Sequence, residues 1–202
     1  RREVLSPWIS GADRDIALLS RVGKPACFVV TDIRADEKGA PVALLSRRAA
    51  QERALDTFLE TLVPGAVVTA VVTHLVPFGA FLDIGCGIVA MLPLERISVS
   101  RISSPQDRFQ VGQKILAAVA SIDRQTRRFT MTHRELLGTW LENASYFQPG
   151  ETVRGIVRSV KEYGTFIEIA PNLAGLAESC TDLAPGQAVS VYIKNILPEK
   201  MK

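Results

Sequence analysis

The 202-residue chain is poor in the residues that most chemistry needs. It has two histidines, His74 and His133, and neither stands near the serine, cysteine or carboxylate set that catalysis requires. Its three cysteines, Cys27, Cys86 and Cys180, lie far apart in sequence, odd in number and without CxxC spacing. That excludes a disulfide scaffold and a zinc cluster, and fits a reducing cytoplasm. No segment approaches the length of a membrane span, and the opening Arg1-Arg2-Glu3 has no signal-peptide pattern. Gly85-Cys86-Gly87 lacks the lysine and following helix of a phosphate loop, so it reads as a turn. The expectation is a protein with no cofactor, no metal, no membrane partner and no catalytic set.

Charge is also scarce in net terms, at +3, but it is unevenly spread. Residues 63–134 carry eight Lys/Arg against four Asp/Glu, whereas residues 149–202 carry six of each. The middle of the chain is its electropositive part, which permits a polyanionic partner there.

What the chain does have is a distinctive strand, Phe78-Gly79-Ala80-Phe81-Leu82-Asp83-Ile84. At period 2, Leu82 and Ile84 share one face, and Phe81 and Asp83 share the other. A bulky aromatic on the face of an acid marks a contact surface. Phe78 can reach that face because glycine lets the backbone bend. The stretch recurs as Tyr163-Gly164-Thr165-Phe166-Ile167-Glu168-Ile169, again with an acid expected on the outer face.

The recurrence extends along the chain. A shift of 85 positions superposes Pro64-Gly65 on Pro149-Gly150, Val72 on Val157, Phe78 on Tyr163, Phe81 on Phe166 and Asp83 on Glu168. A shift of 74 superposes Val111-Gly112-Gln113 on Pro185-Gly186-Gln187. Val22-Gly23-Lys24 and Leu45-Ser46-Arg47-Arg48 echo Val111-Gly112-Gln113 and Met131-Thr132-His133-Arg134, so three related units are expected.

Residues 1–48 read as the last part of a degenerate unit. Residues 1–20 are an irregular connection, followed by strands at 24–33 and 41–46 around the turn Asp36-Glu37-Lys38-Gly39. The period then turns helical, with Leu55, Phe58, Leu59 and Leu62 as the apolar stripe of a linker over 49–62. The complete unit covers 63–134, with strands at 67–76, 79–84, 88–92, 113–123 and 128–133. A connection over 94–109 holds Arg96, Arg101 and Arg108. A second linker helix is expected over 135–148, with Leu136, Leu137, Trp140 and Leu141 apolar. The last unit, 149–202, has strands near 151–162, 164–170, 173–178 and 188–197 and stops before a fifth.

Five short strands with a connection after the third suit a small OB-type barrel. Pro64-Gly65, Phe78-Gly79-Ala80-Phe81-Leu82-Asp83-Ile84, Val111-Gly112-Gln113 and Asp123…Arg127-Arg128-Phe129-Thr130-Met131-Thr132 resemble the S1-type RNA-binding domain, named for a protein of the bacterial small ribosomal subunit. The fold that follows is mainly β: tandem five-stranded OB-type, S1-like barrels joined by short α-helical linkers.

The resemblance implies an RNA surface made of two aromatics on the second strand, a histidine after the third, and an aspartate and arginine around the last turn. The aromatic positions fall on Phe78 and Phe81 and on Tyr163 and Phe166, and the polar ones on Asp123 and Arg128, beside Arg127. Pro93 and Glu178 occupy the histidine positions, and Leu197 takes the aspartate position of the last unit. Arg154 and Arg158, at period 2 on that unit's first strand, are further candidates for RNA contact or for ordinary surface. Single arginines such as Arg96, Arg108 and Arg124 more often belong to a solvated face, and Asp123 and Arg128 can pair across their turn.

Three classes of function stay open. The favoured one is a non-catalytic module of a monomeric cytoplasmic protein, holding single-stranded RNA by stacking and basic residues, with a link to the ribosome, translation or RNA metabolism. The others are a scaffold for protein or ribosome docking and the accessory RNA-binding part of a processing enzyme.

Overall fold

The structure, a computed structural model, describes residues 22–23, 26–100, 102–180 and 182–200. The expected connection over 1–20, the start of the first strand at Lys24-Pro25, Arg101 and Lys202 lie outside the described residues. The chain divides into two compact units. One holds the chain through His74, with Phe81–Met91 and Val111–Met131; the other holds Leu75–Ala80, Leu92–Gln110 and the chain from Thr132 onward.

The first described elements are an antiparallel pair, β1 (Val29–Ala35) and β2 (Pro41–Ser46). Their turn forms because the Asp36 carboxylate accepts from the amides of Lys38 and Ala40 at 2.9 and 2.8 Å. Helix α1 (Arg47–Thr61) follows at once, with Ser46 as its N-cap accepting from the Ala49 amide at 3.1 Å. Its apolar stripe is the expected one: Leu55 is buried, and Phe58 meets Phe129 edge-on with ring centroids 6.5 Å apart. The Arg124 guanidinium donates to the Leu59 carbonyl at 2.7 Å, satisfying one of the carbonyls that a helix end leaves open.

Five strands then close a barrel: β3 (Val67–Val76), β4 (Gly79–Asp83), β5 (Val89–Pro93), β6 (Lys114–Asp123) and β7 (Arg128–Thr132). Their order is β3-β4-β5-β7-β6, and β6 returns antiparallel to β3, with Val67 opposite Ala118 and Val71 opposite Lys114. The β5–β7 pair is parallel, through Met91 and Thr130. Two-residue periodicity fills the interior: Val72, Leu82, Val119, Phe129 and Met131 are fully buried. This is the closed, OB-like barrel expected for the middle unit.

Over 135–148 the structure holds two short pieces rather than one helix. A 3-10 turn (Arg134–Leu137) ends at Gly138, whose φ of 80° breaks the helical path. Helix α2 (Trp140–Ala144) restarts under a capping box between Thr139 and Glu142.

The second sheet contains β8 (Thr152–Lys161), β9 (Gly164–Ala170), β10 (Leu173–Ala177) and β11 (Ala188–Tyr192), in the order β10-β9-β8-β11. That is the barrel's order β5-β4-β3-β6, and among the described residues no strand corresponds to β7. The strand expected near 188–197 is thus only five residues long. Between the β10 and β11 edges lies a cleft of about 620 Å³ lined by Ile167, Leu173, Leu176, Val191, Ile196 and Leu197, among others.

The repeat read from the sequence has the same hydrogen bonds in each copy. Gly112 N donates to Val72 O at 2.7 Å and Gly186 N to Val157 O at 2.7 Å. Val72 N donates to Gln113 O at 2.9 Å and Val157 N to Gln187 O at 2.9 Å. Gly65 N donates to Val119 O at 2.8 Å and Gly150 N to Ile193 O at 2.8 Å. Identical pairing at the shifts of 85 and 74 explains why the Pro-Gly and Gly-Gln punctuation recurs.

Candidate nucleic-acid interface

On β4 the burial alternates as the side-chain period requires. Leu82 is fully buried, while Phe81 and Asp83 are half-exposed on the other face. Asp83 shapes the turn beyond the strand, its carboxylate accepting from Gly85 N at 2.9 Å and Gly87 N at 3.1 Å. Thr73 of β3 donates its hydroxyl to the Phe81 carbonyl at 3.0 Å, fixing the backbone under the aromatic ring. Thr73 is a positioning residue that the resemblance did not name, although it shares the outward period of Thr69 and Val71.

The strand order carries this face onward. Ala90 and Leu92 of β5 are buried, so Met91 stands outward, half-exposed. On β7, Phe129 and Met131 are buried and Arg128 and Thr130 stand outward. Phe81, Met91 and Arg128 therefore lie on the outer faces of three successive strands. Met91 was also missed from sequence, yet the signal was there: a large apolar residue at an outward position, as for Phe81. Phe78, just before β4, is 61% exposed.

Asp123 ends β6 and builds the last turn. Its carboxylate accepts from Gln125 N at 2.9 Å and Thr126 N at 3.0 Å. The Thr126 hydroxyl and amide, with a smaller contribution from the charge of Arg128, hold this carboxyl below the usual aspartate range. The turn brings Arg127 into a left-handed backbone, φ 56°, where its guanidinium pairs with Asp56 of α1. Arg127 thereby pairs with the helix while its side chain stays 40% exposed.

In the second sheet, Tyr163 and Phe166 meet edge-on, centroids 6.1 Å apart, with Tyr163 72% exposed. Gly164 between them is required by close approach, because a Cβ there would stand 2.7 Å from the Ala177 carbonyl. Arg154 is exposed on β8 opposite Ser190.

Glu168 departs from expectation. It is buried, not solvated on the outer face. The β8–β9 register shifts between Val157 and Ser159, and at this bulge Arg158 turns onto Glu168. Arg158 Nε donates to Glu168 Oε2 at 2.7 Å and Arg108 Nη2 to Oε1 at 2.5 Å; Asp107 lies 3.6 Å from Arg158. Arg108 is thus no solvated arginine. Ser98 donates to the Pro171 carbonyl at 2.5 Å, and Asn172 accepts from Val99 N at 3.2 Å, so the connection after β5 is bound along the β9–β10 turn. Glu178, at the histidine position of this copy, pairs with Lys194 at 2.9 Å, which lowers its carboxyl from the ordinary range.

A family model described as S1 RNA binding domain matches residues 62–134. The chain carries an S1 domain. Small ribosomal subunit protein bS1 of Staphylococcus aureus (strain COL) is 31% identical over 169 residues, covering 76% of this chain and 43% of that protein. The bS1 homolog of Bacillus subtilis (strain 168) is 31% identical over 159 residues, covering 76% of this chain and 41% of that protein. The chain therefore spans about two fifths of the length of these relatives. Among solved structures, part of an a/eIF2alpha-aDim2p-rRNA complex from Pyrococcus horikoshii OT3 aligns at 22% identity and a TM-score of 0.36, over 42% of this chain and 51% of that one. The S1 domain coincides with the closed barrel, so Phe81, Met91 and Arg128 stand on its surface. Among the described residues, no helix is long and apolar enough to cross a membrane, and no three His, Cys, Asp or Glu side chains group as a metal site.

Proposed function

We propose that the chain is a non-catalytic RNA-binding protein whose S1 domain holds single-stranded RNA. Bases stack on Phe81 and on Phe78 three residues earlier, with Met91 as apolar floor. Arg128 supplies charge, and Asp123 fixes the turn that presents it. The observation that carries the reading is the outward Phe81 beside the buried Leu82. An outward aromatic there offers a base a stacking platform worth about 1–3 kcal/mol. Every base has a π-face, so sequence preference is weak. The ribosomal-protein names of the relatives support a place in translation, at the ribosome and in the cytoplasm.

The last unit fits a second role. Its aromatics Tyr163 and Phe166 remain exposed or half-exposed, but Arg158 and Arg108 are held by Glu168. That favours weaker RNA contact, through Arg154 and the aromatics, or docking to protein. The experiment is fluorescence-anisotropy titration of the whole chain with short single-stranded RNA, matched duplex and DNA across a salt series. Salt-dependent preference for single strands supports the RNA reading. No binding at low salt overturns it in favour of the docking scaffold.

A further inference from the structure

Helix α1 precedes residues 62–134, which match the S1 domain, yet it is bonded to two turns of the barrel. At the turn between β6 and β7 its Leu59 carbonyl accepts from Arg124 at 2.7 Å, and its Asp56 pairs with Arg127. At the turn between β4 and β5, Gln51 donates its side-chain amide to the Gly87 carbonyl at 3.2 Å. Phe58 lies against the same turn, 3.2 Å from where a Cβ on Gly85 would stand. Gln51 is polar and yet the most buried residue of the helix, 1% exposed. A buried amide persists where its hydrogen bonds are made, and Nε2 packs so closely that a Cβ on Gly87 would meet it at 2.9 Å.

The turn so held governs how two strands of the outer face pair. Gly85, Cys86 and Gly87 all have positive φ, at 132°, 52° and 79°, and two of the three are glycines with wide conformational freedom. Asp83 fixes amides of this turn, and Gln51 fixes a carbonyl of it. Ile84 N then donates to Ile88 O at 3.0 Å and Ile88 N to Gly85 O at 2.9 Å. In a hairpin the turn sets the register, so the place of Gly87 decides where Met91 stands beside Phe81.

We infer that Gln51 is a positioning residue of the RNA surface: from α1 it fixes the β4–β5 turn, and with it the spacing of Phe81 and Met91. The inference rests on the reading of that surface as the single-strand site. It makes α1 a working part of the RNA-binding unit, outside the residues that match the S1 domain.

The test titrates the whole chain with single-stranded RNA across a salt series, with thermal melts of each variant. Gln51→Met keeps the side-chain length and removes the donor. It is expected to weaken binding about five- to tenfold, the lower part of what a lost platform costs. The slope against log[salt] should stay that of wild type, because no cation is touched. Leu55→Ala, one turn further along the same buried face, should lower the melting temperature and leave the affinity of the folded chain unchanged. Gln51→Met combined with Phe81→Ala should bind little more weakly than Phe81→Ala alone, since Gln51 acts through that ring. Should Gln51→Met melt below the titration temperature, Gln51→Asn, which draws the amide back by one methylene, is read in the same way. Wild-type affinity in a folded Gln51 variant, additive losses in the double variant, or an equal loss in Leu55→Ala would overturn the positioning role while leaving the RNA reading in place. A wild-type chain that binds no single-stranded RNA would overturn both.

Discussion

Arg158 donates through Nε to Oε2 of Glu168 at 2.7 Å, with both side chains nearly withdrawn from solvent. Arg108 reaches the other carboxylate oxygen, so one buried acid holds two cations. Removing one partner of such a group leaves charge uncompensated, a loss of about 3–5 kcal/mol. Glu168→Gln is therefore expected to destabilise the second unit by that order in urea unfolding. Arg154→Ala, exposed on β8, should change stability by less than about 0.5 kcal/mol. Equal, small effects of the two variants would show that the buried cluster is incidental.

Salt separates charge from stacking. Affinity for single strands should fall with log[salt] at about −0.7 per phosphate contacted, giving roughly −2 to −4 for three to five usable cations. Arg128→Ala should flatten that slope, and Arg158→Ala should leave it unchanged because Glu168 already holds Arg158. A slope indifferent to Arg128 would remove it from the interface.

Asp123 gives a pH signature. Its carboxyl is held below the ordinary range in the folded chain, chiefly by Thr126, so the unfolded chain binds the proton more readily. This contribution is complete above the unfolded aspartate value and is lost as pH falls through the folded one. Wild type should lose stability on that acid side more steeply than Asp123→Asn, with the two curves parallel near neutral pH. Chemical denaturation at stepped pH reads this directly; coincident acid limbs would contradict it.

Much of this was legible in the sequence because each signal was local. Period 2 placed Leu82 inward and Phe81 outward, and the repeat of Pro-Gly and Gly-Gln placed hydrogen bonds that recur in both copies. The helix over α1 followed from its apolar spacing, while its Ser46 cap came to light only in the structure. What stayed hidden depends on partners distant in the chain. Glu168 reads as an outward acid until the bulge at Arg158 and the arrival of Arg108 from sixty residues away make it a buried one. Arg127 reads as a free cation until Asp56, on a helix seventy-one residues earlier, is brought beside it. Gly138 breaks the second helix through a backbone angle that its apolar neighbours do not announce.

The most direct measurement pairs Phe81→Ala with Leu82→Ala, adjacent residues on opposite faces of β4. RNA titration and thermal melting of both variants are read together. Phe81→Ala should weaken single-stranded RNA binding by about 1–3 kcal/mol with little loss of stability. Leu82→Ala should open a cavity and destabilise the barrel by about 2–5 kcal/mol, with affinity retained wherever the chain is folded. Full RNA affinity in a folded Phe81→Ala protein would contradict the proposed interface.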